Sequence, residues 1–205
     1  MSAATGPSAG DGAPRPDLPP GTRPGSRGGW ATLVVVGVIV ATVLGGYVVA
    51  AALSEPAGVP VDVAGIVQLQ PLSGWALAGQ GTVVGVPLAQ ITRGSGNLVT
   101  TALASRGGNA ERLAADYARI ILDPRCSQLS MSRRLDDVLL RSGLRGVRFA
   151  YVGVIADTGA SIEGEVTAVI APSGNGVVLD GWAPAGVLSF VRPDIDTMVA
   201  RAEIS

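Results

Sequence analysis

Apolar residues fall into three patterns along this chain. Residues 1–29 show no periodicity: Pro, Gly, Ser, Thr and Arg are interspersed. Such a segment buries too little apolar surface to offset its ordering entropy, which predicts a disordered tail. Residues 30–53, WATLVVVGVIVATVLGGYVVAAAL, then run for 24 positions without a charge. As a helix this stretch spans about 36 Å, enough to cross a bilayer core of about 30 Å, and it is predicted as one transmembrane helix. Residues 54–60, SEPAGVP, read as a linker, and from Val61 onward short-period alternation takes over.

That alternation predicts strands at residues 61–72, from Trp75, at 82–92 and at 98–104, the last two joined by a turn at Arg93-Gly94-Ser95-Gly96-Asn97. A helix follows. Asn109 is its expected N-cap, Glu111 complements its positive end, and Leu113, Tyr117, Ile120 and Ile121 form its apolar stripe. Arg112 and Asp116, four apart, are placed on its solvent side, and Asp123-Pro124 is expected to end it. A shorter helix is predicted at 132–142, showing Leu135, Val138 and Leu139, with Gly143 past its end. Three strands at 147–156, 161–171 and 176–183 are spaced as an antiparallel meander. A last helix opens at Pro193 and buries Ile195, Met198, Val199 and Ala202, with Asp194 and Asp196 at its positive end. The fold class is therefore α+β: an antiparallel sheet of about six strands covered by helices, over residues 61–205, preceded by one transmembrane helix.

Flanking charge orients the apolar run. Arg15, Arg23 and Arg27 precede it and Glu55 is the first charge after it. Arginine is retained on the cytoplasmic side, so the tail is expected inside and the large domain outside, in a single-pass protein of the cell membrane. Gly37, Ala41 and Gly45 put small residues on one helix face. They are candidates for helix-mediated self-association, against the simpler reading that small residues are common in this chain. A cleaved signal peptide is the rival to a retained anchor, with Ala50-Ala51-Ala52 as its cleavage pattern. The run exceeds a signal core of about 7–15 residues, which favours the anchor; both readings export the domain.

Composition narrows the chemistry. All 15 basic residues are Arg, and Lys and His are absent. The bias toward Ala, Gly, Val and Arg is that of a GC-rich genome such as an actinobacterium's. Without His there is no Ser-His-Asp triad and no imidazole metal ligand; without Lys there is no Schiff base and no P-loop lysine. A net charge of −1 gives no basic face for nucleic acid. Cys126, the single thiol, excludes an intrachain disulfide; it reads as a buried small hydrophobe or as a link to another chain. No cofactor and no metal set is expected.

A few segments carry a resemblance. Pro71-Leu72-Ser73-Gly74-Trp75, Asp116-Tyr117, Gly164 and Asp194-Ile195-Asp196-Thr197-Met198-Val199 resemble the early Gly-Trp turn, the helix, the strand pair and the closing helix of the PsbP/Mog1 type of α/β/α sandwich. More narrowly, the chain resembles actinobacterial membrane-anchored proteins with such an exported domain. The resemblance covers residues 61–205 and implies an adaptor, assembly or ligand-binding domain with no shared catalytic residues.

The candidate sites each have two readings. Six arginines lie within residues 125–148 against Asp136 and Asp137, and Arg133, Arg134, Arg141 and Arg145 are the candidate contacts for an envelope protein or an anionic polymer. The alternative is an ordinary solvated face. Trp182 is a candidate surface contact, whereas Trp75, after a Gly turn, is expected to pack on the sheet. Glu163 and Glu165, two apart on one strand face, and Asp180 are the candidates for acid–base chemistry. Asp194 and Asp196 as calcium ligands give way to helix capping. The sequence thus predicts a membrane-anchored envelope protein whose exported domain binds or assembles without catalysis. The alternative is a carboxylate-based extracytoplasmic hydrolase.

Overall fold

The structure of the chain, a computed structural model, describes residues 58–83, 85–104 and 108–205. The predicted tail at 1–29, the apolar run at 30–53 with Gly37, Ala41 and Gly45, and most of the linker lie outside the described residues. No helix among the described residues is long and apolar enough to cross a membrane.

The first predicted strand is a hairpin, β1 (Val61–Val63) and β2 (Val67–Leu69), turned through Ala64 and Gly65, both at positive φ. After the turn at Gly74 come β3 (Ala76–Val83), β4 (Val86–Arg93) and β5 (Gly96–Leu103), antiparallel in series. Helix α1 (Ala110–Tyr117) begins as its cap predicts: the Asn109 side chain accepts from the Arg112 N–H at 2.8 Å. The helix then widens into a π-helical turn, Ala118–Leu122, and closes with one further turn, Asp123–Arg125. β6 (Cys126–Met131), β7 (Asp136–Leu139), β8 (Arg145–Ile155), β9 (Ser161–Ile170) and β10 (Gly176–Pro184) follow, then helix α2 (Leu188–Arg201) and β11 (Glu203–Ile204).

Among the described residues, eight strands make one antiparallel sheet in the order β3-β4-β5-β10-β9-β8-β6, with β7 also paired to β8; β1, β2 and β11 form a second, small sheet. Side chains alternate across each strand, so the large sheet has two apolar faces. Phe149, Tyr151, Ile162, Val166 and Val178 face α1. Ile91, Leu98, Val177 and Leu179 face α2 and the small sheet, with Val63, Leu69, Ile195 and Met198. The architecture is a sheet sandwiched between two layers, α+β as predicted.

Several expectations are corrected. The sheet is larger than about six strands. The predicted helix at 132–142 is instead a loop and β7, because the outer edge of β8 needs partners at residues 145–148 and residues 136–139 supply them. Leu135 and Leu139 stay exposed, so there was no buried stripe to sustain a helix. The π-turn adds a residue and rotates the stripe after Tyr117: Ile120 and Ile121 are exposed and Leu122 is fully buried. Asp116 pairs with Arg119 at 3.0 Å. Pro124 sits inside the last helical turn, so the helical run ends at Arg125, two residues later than expected. Pro193 lies within α2, which begins earlier because Glu163 of β9 accepts the backbone N–H groups of Gly186 and Leu188, at 2.9 and 3.0 Å, around its N-terminus.

Candidate functional site

The alternation of β10 turns Val178, Asp180 and Trp182 toward α1. Asp180 is thereby a carboxylate on an apolar face, and it is 0 % exposed. Burying an ionised carboxylate unpaired is strongly unfavourable, so partners must reach it. Three do. Tyr117, the last residue of α1, donates its O–H to one carboxylate oxygen at 2.9 Å, and Tyr151 of β8 donates to the other at 2.9 Å. Arg125, at the end of the helical run, brings its guanidinium to 3.6 Å.

Space for this arrangement comes from Gly164, which stands opposite Tyr151 across the β8–β9 pair. A Cβ there would lie 2.5 Å from the Tyr151 ring. Arg125 also stacks over the Trp182 ring, 4.3 Å from its centroid, close enough for a cation–π contact. Trp182 is half-buried, and its indole N–H is enclosed without a hydrogen-bond partner among the described residues. Cys126, buried beside this group, packs against Gly153.

Electrostatics follow from burial. Loss of solvent pushes the Asp180 carboxyl up to about 6, against the pull of the two phenols and Arg125 in the other direction. The same desolvation, with the Asp180 charge, raises both Tyr117 and Tyr151 far above a free phenol. Burial raises the Cys126 thiol. Neither tyrosine is therefore a phenolate base near neutrality, and the carboxylate is sealed from any substrate in this conformation.

The other acid–base candidates share a strand face but not a site. Glu163 holds the α2 N-terminus, as described above. Glu165 is clamped by Arg192 and by Arg148 at 3.4 Å; Arg148 also meets Asp196 at 2.6 Å and the Thr167 hydroxyl at 3.0 Å. Asp194 and Asp196 are not helix caps: Asp194 accepts from the Trp75 indole N–H at 3.0 Å and pairs with Arg93. Trp75 is buried against the sheet as expected. No group of three or more metal-ligating side chains occurs among the described residues.

The arginine-rich segment is divided by the fold. Arg125 and Arg148 are drawn inward into the ion pairs just described. Arg133, Arg134, Arg141 and Arg145 are exposed on the outer side of β8. Arg133 and Arg134 lie between β6 and β7, just after Ser132, whose backbone N–H bonds Ala150 O at 2.8 Å. Five residues along the strand, Arg145 shares a shallow hollow of about 180 Å³ with Glu111 and Asp137. The Arg141 backbone N–H bonds Ala200 O at 2.8 Å, which brings it beside exposed Arg201 of α2. Arg201 was missed in the sequence because its neighbour is 60 positions away. Tyr117 and Tyr151 were missed as ligands of Asp180 for the same reason.

No protein-family model matches the chain, and no curated protein sequence matches it. Among solved structures, the chain is similar to the solution structure of cyanobacterial PsbP (CyanoP) from Synechocystis sp. PCC 6803, at 14% identity and a TM-score of 0.49, over 75% of this chain and 99% of that one. It is also similar to the Saccharomyces cerevisiae Ran-binding protein Mog1p, at 11% identity and a TM-score of 0.48, over 71% of this chain and 94% of that one.

Proposed function

We propose that this chain is a single-pass, membrane-anchored envelope protein whose folded domain works as a binding or assembly module, with no catalytic step. The observation that carries this reading is the employment of its carboxylates. Glu163 fixes a helix terminus, Glu165 and Asp196 are held by Arg148 and Arg192, and Asp180 is sealed by two phenols and Arg125. These four carboxylates are engaged inside the fold. What the chain offers outward is exposed arginine along the β8 edge, which suits a carboxylate- or phosphate-bearing partner.

The test is retention of the full chain, in neutral detergent micelles, on an anionic polymer resin. Replacing Arg133, Arg134, Arg141 and Arg145 together with Gln is expected to abolish retention, and salt is expected to weaken it for the parent, because exposed charges are screened within about 8 Å at physiological ionic strength. Unchanged retention by the folded variant removes this face from the reading. The hydrolase alternative predicts an activity in a broad substrate screen that is lost in Glu165→Gln while the fold is kept.

A further inference from the structure

The two edges of the large sheet are built differently. On the far side of β8 the edge is broken into β6 and β7, with a register shift after Ser127, Gln128 at positive φ, and Arg133, Arg134, Asp136 and Asp137 placed along it. Short strands, irregularity and charge are the usual protections of an edge. β3, the opposite edge, has one register shift, between Leu77 and Gly79, and then a regular run through residues 79–83. All eight of its residues, ALAGQGTV, are exposed; none is charged and none is proline. Among the described residues no strand lies outside it.

The pairing to β4 shows which backbone groups face outward. Thr82 stands opposite Pro87, which has no N–H to exchange, so this is a non-hydrogen-bonded pair and the Thr82 N–H and C=O point away from β4. Gln80, two residues earlier, has the same parity. We infer that β3 is a self-pairing edge: two copies of this chain join residues 79–83 antiparallel about a two-fold axis through Gly81, continuing one sheet into the other. Residues 79–83 are self-complementary in that register. Gly79 receives Val83 of the second copy on the α1 face, Gln80 meets Thr82 on the other, and Gly81 meets itself. Val83 is 54 % exposed in the single chain, and Gly79 opposite leaves room for its side chain. A second copy fits better than a charged peptide, since the edge presents no charge to complement one. The inference is independent of the membrane anchor.

The register gives a sharp test on the full chain in detergent micelles. The space around a Gly81 Cβ is open, so Gly81→Cys is tolerated. On a two-fold axis its Cα atoms fall within disulfide range, and mild oxidation is expected to yield a covalent dimer. Ser130→Cys, on the opposite edge, is expected to give no covalent dimer under the same oxidation, and buried Cys126 serves as the background. Thr82→Pro removes only an outward N–H, used twice per dimer, and is expected to weaken dimerisation in sedimentation by about tenfold or more. A chain that sediments as a monomer at high micromolar concentration overturns the inference. So does a dimer that survives Thr82→Pro and fails to cross-link through Gly81→Cys, which instead places association in another segment.

Discussion

At the scale of single residues, Asp180 decides the most. Its folded-state carboxyl is raised to about 6 from an ordinary value of 3.8, so its protonated form favours the fold. That contribution is complete below the unfolded value and is lost as pH rises through about 6. Tyr117, Tyr151 and Cys126, which face it together with Arg125, are all raised and stay neutral in that window. Thermal unfolding from pH 4 to pH 7.5 is therefore expected to show a fall in stability that Asp180→Asn flattens; identical slopes for the two proteins would contradict the assignment. Tyr151→Phe leaves one carboxylate oxygen short of a donor and is expected to destabilise by about 1–3 kcal/mol. Gly164→Ala should do at least as much harm, about 2 kcal/mol or more, because the new methyl collides with the Tyr151 ring. Asp180 could be read in the sequence as a charge inside the apolar run GVVLDGWA. Its ligands could not, since Tyr117 and Tyr151 are 63 and 29 residues away and each looks like a core aromatic within its own element.

At the scale of elements, strand alternation was legible wherever one face is apolar and the run is long. β8, β9 and β10 fall within a residue or two of their expected limits for this reason. The errors arise where a partner elsewhere in the chain decides the outcome. Residues 136–139 carry a weak helical pattern, but the unfilled edge of β8 recruits them. Pro193 looks like a helix start, yet a carboxylate from β9 sets the start upstream. This makes Glu163 an element-level residue. Glu163→Ala is expected to destabilise the protein by about 1–2 kcal/mol, with increased hydrogen exchange over the first turn of α2, and Glu163→Gln by less, since both bonds fall on one oxygen and an amide oxygen still accepts two, without the charge. Equal effects of the two substitutions, or none, would mean the carboxylate does not hold the helix terminus.

At the scale of the whole molecule, the placement of charge links the folded domain to the segment before it. Residues 30–53, outside the described residues, are 24 uncharged positions, long enough as a helix to cross a bilayer. Leaving so many Val, Leu and Ile side chains in water is unfavourable, at about 25 cal/mol per Å² of apolar surface, and a lipid core removes that penalty. In the proposed topology Arg15, Arg23 and Arg27 hold the tail at the cytoplasmic face, and the acidic remainder of the chain, 12 Arg against 14 Asp and Glu in residues 55–205, passes outward. Protease added to intact spheroplasts is therefore expected to remove the folded domain and to spare an epitope placed in residues 1–29. Moving the positive charge should invert the result: Arg15, Arg23 and Arg27 replaced by Gln, with arginines introduced at residues 54–57, is expected to protect the domain. Full protection of the parent would reverse the orientation. Release of the domain into the medium, without protease, would identify the apolar run as a cleaved leader in place of an anchor.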